Sequence, residues 1–492
     1  MRLLLLFILL PSFVIGQVKI GQNINGEAAE DEAGYSVSLS NDGNTVAIGA
    51  ITNDGANGSN SGQVRVYYNN AGTWTKIGAD IDGEAQNNLF GYSISLSGDG
   101  NVVAVGAINN DNNGNNFAGH VRIYENNSGT WTQIGSDIDG ITSYSLSGWS
   151  VSLSDDGSRV AIGAVGFNGN GGFEGYTRVY QNNSGTWVKI GQDINGEGNL
   201  DFSGWDVSLS GDGNILAVGA TFNDGVSGDD SGHVRVYYNN AGTWTQIGAD
   251  IDGESANDQS GHCISLSYDG SIIAITSTQN DGVGGPDSGH VRVYQNNLGT
   301  WTQIGDDIDG EAANEQSGQG VSLSDDGSVL AVGAYSSDTN GINAGDVIIY
   351  KNMGGTWTKI GNSILGESAG DWSGWSVSLS ADGSKVAIGS RYSDANGNSS
   401  GQVRVFDLTP ALSTNSFENN DFVVYPNPAT SMVHIKVNNA YKLQNIVLYN
   451  NLGQFIINTK TNTLDLSALT NGMYFLEIKT EQGTSVRKLL KN

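Results

Sequence analysis

The residues predict an all-β chain: a seven-bladed β-propeller followed by a small β-sandwich. Three observations carry this expectation. One unit recurs seven times between Tyr35 and Ser390, with Ser-Leu-Ser cores starting at Ser38, Ser95, Ser152, Ser208, Ser265, Ser322 and Ser378. The spacing is 56 or 57 residues throughout, the mark of solenoids, propellers or arrays. Within each unit apolar residues alternate, as Tyr92, Ile94 and Leu96 do against Ser93, Ser95 and Ser97, and a period of two is that of a strand. The third observation is a displaced fragment. Val18-Lys19-Ile20-Gly21 matches the fourth-strand pattern Trp-Thr-Lys-Ile-Gly, yet it precedes the first repeat, while the seventh repeat stops at Phe406 without a fourth strand. A closed circle of seven accounts for both ends at once.

The chain begins Met1-Arg2, continues with the apolar run Leu3–Leu10 and reaches a small residue at Gly16. A basic start, a short apolar core and a small residue make residues 1–16 a secretory signal peptide, too short for a bilayer anchor. No Cys follows it to take a lipid, and no later run reaches transmembrane length. The propeller is expected over residues 17–408. Its second copy divides into strands Tyr92–Ser97, Val102–Ala107, His120–Glu125 and Trp131–Gly135. Gly98-Asp99-Gly100 joins the first two, an Asp-Gly turn expected to supply positive φ angles, and Asn126-Asn127-Ser128-Gly129 joins the last two. These short turns fall on one face. Longer loops rich in Asp, Asn and Gly, such as Thr221–Gly232 and Ala249–Gly261, fall on the other, and variable loops on a rigid scaffold are where binding resides. A polar linker is expected over residues 409–421 and a C-terminal domain over 422–492, with alternating strands such as Val433–Val437 and Met473–Lys479.

The formal charge is −29, unevenly placed. Residues 407–492 hold 7 Lys and Arg against 6 Asp and Glu, which leaves 15 against 45 upstream. Such a ring repels nucleic acid and anionic lipid and suits solubility, cations or a basic partner. The single cysteine, Cys263, excludes an internal disulfide and takes a slot filled by Ser36, Ser93 and Ser150 elsewhere.

Phe90-Gly91-Tyr92-Ser93-Ile-Ser-Leu-Ser followed by Val103-Ala104-Val105-Gly106-Ala107 resembles the FG-GAP repeat of integrin α-subunit propellers and their bacterial relatives, and Gly374–Gly389 has the same pattern. That resemblance implies a seven-bladed ring. Family members often carry a calcium loop, Asp-x-Asp/Asn-x-Asp-Gly, between the first two strands. Here the connection has shrunk to Asn41-Asp42-Gly43. Calcium takes six to eight oxygens, so the family's site is not carried over. Val424-Tyr425-Pro426-Asn427-Pro428-Ala429, then Leu448–Gly453, Leu464–Leu476 and Lys488-Leu-Leu-Lys491, resemble the type A C-terminal sorting domain of the type IX secretion system of Bacteroidota. This resemblance implies passage across the outer membrane by the secretion machinery, removal of the domain, and release or attachment at the cell surface.

Candidate ligand-binding residues are the aromatics opening the first strand in five blades, Tyr35, Tyr92, Trp149, Trp205 and Trp375, with His262 and Gln319 in the other two. They could stack on sugars at a channel mouth. Strand parity puts them on the face of Val37 and Ile94, where packing against a neighbouring blade competes. Calcium is open at the acidic loops, through Asp224, Asp229, Asp230, Asp281 and Asp287; turn chemistry explains the same residues. The strand-three Arg (Arg65, Arg122, Arg178, Arg235, Arg292, Arg404) and the inter-blade Glu (Glu27, Glu84, Glu197, Glu254, Glu311, Glu367) invite ion pairs. Their replacements, Ile348 and Ile141, do not coincide, so no pairing is read. His120, His233 and His290 recur at one strand edge without clustering, and no nucleophile elbow, zinc spacing or phosphate loop occurs. The expectation is a non-enzymatic binding or adhesion propeller for a protein or glycan. A polysaccharide-processing enzyme and a passive surface-layer component are the alternatives.

Overall fold

The computed structural model describes residues 16–112, 114–166, 172–412, 422–437, 442–450, 454–480 and 483–492. The expected signal peptide and most of the expected linker, residues 1–15 and 413–421, lie outside the described residues. Gly16–Leu408 forms one unit and Thr409–Asn492 belongs to another.

The first unit is a ring of seven antiparallel sheets. In blade two the strands run Phe90–Leu96, Val102–Ala107, His120–Asn126 and Trp131–Gln133, each bonded to the next. The inner strand starts two residues earlier than alternation predicts, because a register shift between Phe90 and Ile94 interrupts the ladder. A fifth strand of two residues, Ile138–Asp139, returns to pair with Val121 and His120. Every blade has this extra strand, so the sheets are five-stranded rather than four-stranded. Two residues are too short a stretch to show a period. The core lies between blades, where Val64 and Val66 of blade one meet Ile94, Leu96, Val103 and Val105 of blade two, all buried.

The N-terminal fragment closes the circle. Val18 and Lys19 pair antiparallel with Asp407 and Phe406, and Ile24 and Asn25 with Val403 and Gln402. Three circuits of hydrogen bonds then pass from blade to blade. At the hairpin end of the channel, backbone N–H groups donate from Asn41 to Gly98, on to Asp155, Gly211, Tyr268, Asp325 and Ala381, and back to Asn41, at 2.8–2.9 Å. One layer further along, Ser38 Oγ accepts from Leu96 N and Ser95 Oγ from Leu153 N. The series runs through all seven repeats until Ser378 accepts from Leu39 N, at 2.9–3.1 Å. This is the physical content of the Ser-Leu-Ser motif. At the rim, the Gly-Thr-Trp indoles donate to an isoleucine carbonyl of the preceding blade, Trp131 to Ile77 and Trp74 to Ile20, at 2.9–3.1 Å in six blades. Blade seven has no such Trp; Gln17 Nε2 takes its place and donates to Ile360 O at 3.1 Å.

Two local findings refine the sequence reading. In the Asp-Gly hairpin only the glycine has positive φ (Gly43, 61°). The aspartate acts through its carboxylate instead, with Asp42 Oδ1 accepting from Ser40 Oγ at 2.7 Å and from Asn44 N at 2.9 Å. Burial opposes ionisation there, but these hydrogen bonds outweigh it and hold the carboxyl below its usual range. The Arg and Glu residues do pair, across blade boundaries. Arg65 meets Glu27 at 3.6 Å, Arg235 meets Glu197 at 3.3 Å, Arg292 meets Glu254 at 3.4 Å and Arg404 meets Glu367 at 3.9 Å, and Arg122 also touches Glu84. Each pair joins successive repeats, so a missing partner leaves its mate to find another: Arg178 turns to Asp193 and Glu311 to Lys359.

In the second unit, Phe422–Tyr425, Met432–Val437 and Thr463–Asp465 form one sheet, and Leu443–Asn450, Phe455–Thr459, Gly472–Thr480 and Gly483–Lys491 form another. Both contribute to one core through Phe422, Val433, Ile435, Ile446, Leu448 and Leu476.

Candidate functional site: the channel mouth

The inner strands begin at the long-loop end of the channel, which puts their first side chains around its mouth. A cavity of about 580 Å³ opens there. One arc of its wall is aromatic. Trp375, Tyr35, Tyr92, Trp149 and Trp205 come from successive blades, with ring centroids 5.7, 5.1, 4.9 and 4.9 Å apart along the series. His262 continues the arc 5.6 Å beyond Trp205. The rings therefore touch their neighbours across blade boundaries, as parity suggested, yet all five remain half-buried and line the cavity. Packing and access are not exclusive here, because the inner strands converge on an open axis.

The facing arc is amide-rich. Gln259, Gln279, Gln316, Gln319 and Thr278 line it, and the Tyr335 hydroxyl bonds Gln316. Burial lowers the His262 imidazole to about 4, so it is neutral at pH 7, and a hydrogen bond with Gln319 opposes that shift only in part. At the edge in blade seven, Arg391 lies 4.4 Å from the Trp375 centroid and 4.7 Å from that of Tyr35, and pairs with Glu32 at 2.7 Å. Cation–π contact and the ion pair fix this end of the arc.

Deeper in the channel Asp206 and Cys263 fill serine slots. Asp206 Oδ1 accepts from Ser150 Oγ and Val207 N at 2.7 and 2.9 Å, and Oδ2 accepts from Ile264 N at 2.7 Å. Burial raises this carboxyl to about 6 against those hydrogen bonds. Burial, and then the Asp206 charge, push the Cys263 thiol well up. An inter-strand role occupies both groups.

The loop acids sit elsewhere. Asp224 Oδ1 accepts from Asp230 N and Asp281 Oδ1 from Asp287 N, each at 3.0 Å, so both work as turn acceptors. Burial, then the charges of Asp224 and Asp229, raise the Asp230 carboxyl. Among the described residues these five acids do not converge with other ligating groups as His120, His233 and His290 do. Each histidine stands within 4.8 Å of a Glu from the preceding blade and an Asp from its own outer edge: Glu84 and Asp137, Glu197 and Asp250, Glu254 and Asp307. Sequence spacing treated these histidines as isolated, because their partners lie in different repeats. Burial lowers all three imidazoles to about 4.

A family model described as the FG-GAP repeat matches residues 25–67, 76–124 and 366–406, and one described as a secretion system C-terminal sorting domain matches residues 423–492. The chain carries FG-GAP repeats and a secretion sorting domain. The sorting domain is of the type IX system and marks the protein for export to the cell surface or medium. Among the described residues no helix is long and apolar enough to cross a membrane. In the first blade's inner hairpin the Asp42 carboxylate is engaged by Ser40 and Asn44.

No curated protein matches the chain in sequence. Solved structures similar to it include the hydrazine synthase of Kuenenia stuttgartiensis, at 14% identity over 75% of this chain and 94% of that one, with a TM-score of 0.47. The periplasmic gluconolactonase of Pseudomonas aeruginosa is another, at 16% identity over 89% and 97%, with a TM-score of 0.46. Likeness at that level bears on neither ligand nor activity.

Proposed function

We propose that this exported ring is a binding scaffold whose acidic, loop-rich face takes a neutral glycan into the channel mouth. The observation that carries the reading is the arc of five half-buried rings facing an amide arc across one cavity. Sugar rings present apolar C–H faces and hydroxyl edges. Aromatic faces suit the first, and Gln259, Gln316, Gln319 and neutral His262 suit the second. The cavity volume lies within the usual range for a small-ligand site. Asp206 and Cys263 are engaged with each other and with backbone groups, which favours binding over turnover.

A glycan array with the mature protein, followed by calorimetry on the best hit, tests this. Trp149→Ala and Trp205→Ala should each weaken binding by about tenfold, about 1.4 kcal/mol, measured well below each variant's melting temperature, which the lost ring contacts lower. Binding that neither substitution touches, or product release from any polymer, would overturn it.

A further inference from the structure

Three blades carry a histidine at the head of the third strand, and the same three differ from the rest at a second position. In blades one, three, six and seven the outer strand ends in lysine. Lys76 bonds Asp80 at 2.7 Å, Lys189 bonds Asp193 at 2.5 Å, Lys359 bonds Glu311 at 2.6 Å and Lys19 bonds Asn23 at 2.7 Å. In blades two, four and five that lysine is a glutamine, and Gln133, Gln246 and Gln303 hold Asp137, Asp250 and Asp307 at 2.6–2.7 Å through a neutral amide. Across seven blades lysine never meets histidine and glutamine never lacks it. Each histidine blade keeps its acids, adds a nitrogen with a lone pair, and gives up the ammonium that balances them elsewhere.

Blade two replaces that cation internally. Arg122 Nε and one terminal nitrogen bond both oxygens of Asp137, at 3.0 and 2.9 Å, and the guanidinium also touches Glu84. In blades four and five the arginine turns away. Arg235 bonds the Asn195 carbonyl at 2.8 Å and Arg292 the Asp252 carbonyl at 2.9 Å, and neither bonds the aspartate; they keep their pairs with Glu197 and Glu254 at 3.3 and 3.4 Å. Asp250 Oδ2 and Asp307 Oδ2 are left facing His233 Nδ1 and His290 Nδ1 at 3.8 and 3.9 Å, beyond hydrogen-bonding reach. Both imidazoles are 1–2% exposed, and Nδ1 is the nitrogen that faces the acids. The blade-four group opens onto a cavity of about 460 Å³ that Asp201, Asp224 and Asp252 also line, which gives an entry path.

We propose that blades four and five each bind one divalent transition-metal ion of the zinc class, through His233, Glu197 and Asp250 and through His290, Glu254 and Asp307. A tetrahedral ion about 2.0–2.1 Å from both a nitrogen and an oxygen holds them about 3.3 Å apart, so binding draws the facing atoms together from 3.8 and 3.9 Å. One nitrogen with carboxylate oxygens suits zinc-class ions, whereas calcium takes six to eight oxygens. Glu197 and Glu254, roughly half exposed, can turn their carboxylates inward. These sites lie away from the channel mouth and are independent of the glycan reading.

The test is equilibrium dialysis of chelator-treated full-length mature protein against zinc chloride, counted by mass spectrometry, with calcium chloride in parallel. Two zinc equivalents are expected. Gln246→Lys and Gln303→Lys, which copy the arrangement of blade one, should each remove one equivalent and the pair both, while Gln133→Lys leaves the count at two. His233→Gln and His290→Gln, copying Gln63, should do the same if a lysine variant misfolds. No zinc uptake, uptake unchanged in both double variants, or calcium bound in place of zinc would overturn the proposal.

Discussion

Deleting Gln17–Gly21 removes five residues that do the work of a missing strand. The loss can be worked bond by bond. Gln17 Nε2 gives up Ile360 O and Asn362 O, at 3.1 and 2.8 Å, and Ile20 N gives up Val405 O at 2.7 Å. Trp74 Nε1 loses its acceptor, Ile20 O at 2.9 Å, and the Val18–Asp407 and Lys19–Phe406 pairs go. With each net hydrogen bond contributing about 1 kcal/mol, and the half-buried Ile20 side chain, which packs with Trp74, adding about 1–2 kcal/mol, the cost is about 6 kcal/mol. A ring of about 390 residues has an unfolding entropy near 0.8 kcal/mol/K, so its melting temperature should fall by about 8 °C. The deletion also breaks two of the rim clasps, those of Gln17 and Trp74, and bares the edge at Val405, Phe406 and Asp407, which invites strand addition between molecules. Calorimetry and size-exclusion chromatography of the deletion, beside a truncation from Tyr425 onward, decide the matter. The truncation should leave the ring's transition in place. A deletion that melts with the parent and elutes as a monomer would mean that the N-terminal strand does not close the ring.

Three further outcomes follow from single groups. Ser152→Ala removes the acceptor for Leu209 N and should cost about 1–3 kcal/mol, read as a lower urea midpoint; an unchanged midpoint would mean the serine circuit is ornamental. Asp346, 3% exposed, has its carboxyl raised to about 7 by burial and then by Glu315 and Glu311. Its unfolded value is lower, so the native state holds the extra proton between about pH 4 and pH 7 and loses stability as pH rises through 7. Asp346→Asn should therefore stabilise the ring above pH 7, by up to about 4 kcal/mol, and give no gain below pH 4; a gain of equal size at both ends would refute the assignment. Cys263, its thiol pushed well up by burial and by Asp206, should resist a thiol reagent at pH 7 in the folded ring and react fully in guanidinium, and rapid native labelling would contradict that.

The ring was legible because its determinants repeat within one blade. Ser-Leu-Ser, the Asp-Gly hairpin and Gly-Thr-Trp each stand at a fixed offset, and the displaced Val18–Gly21 fragment announced closure. Contacts made between repeats carry no such offset. Glu84 and His120 come from different blades, and only closure of the sheets brings them together, so the histidines read as isolated and the Arg–Glu pairs as unsupported. Parity along one strand puts the aromatics on the face of Val37 and Ile94, but it cannot report that seven strands meet around an open axis. The two-residue fifth strands carry no period at all.

The same contrast separates scaffold from site. A residue that holds a neighbouring blade is constrained by that neighbour, and this explains the uniformity of the serines, of the rim tryptophans and of the paired glycines. A Cβ on Gly49, for example, would lie 2.3 Å from Gly91 O of the next blade. Paired variation is found where a side chain faces the channel mouth or the niches between blades. There the sequence moves from Tyr35 and Tyr92 through Trp149 and Trp205 to His262, Gln319 and Trp375, and exchanges Lys76 for Gln246 in step with Gln63 for His233. A repeat array that were scaffold alone would have no reason to vary these positions together. The coupled exchange of charge and ligand at the niches, and the division of the mouth into an aromatic and an amide arc, are departures from sevenfold symmetry that the fold does not require. On a ring this regular, such departures are what the glycan and zinc experiments above put to the test.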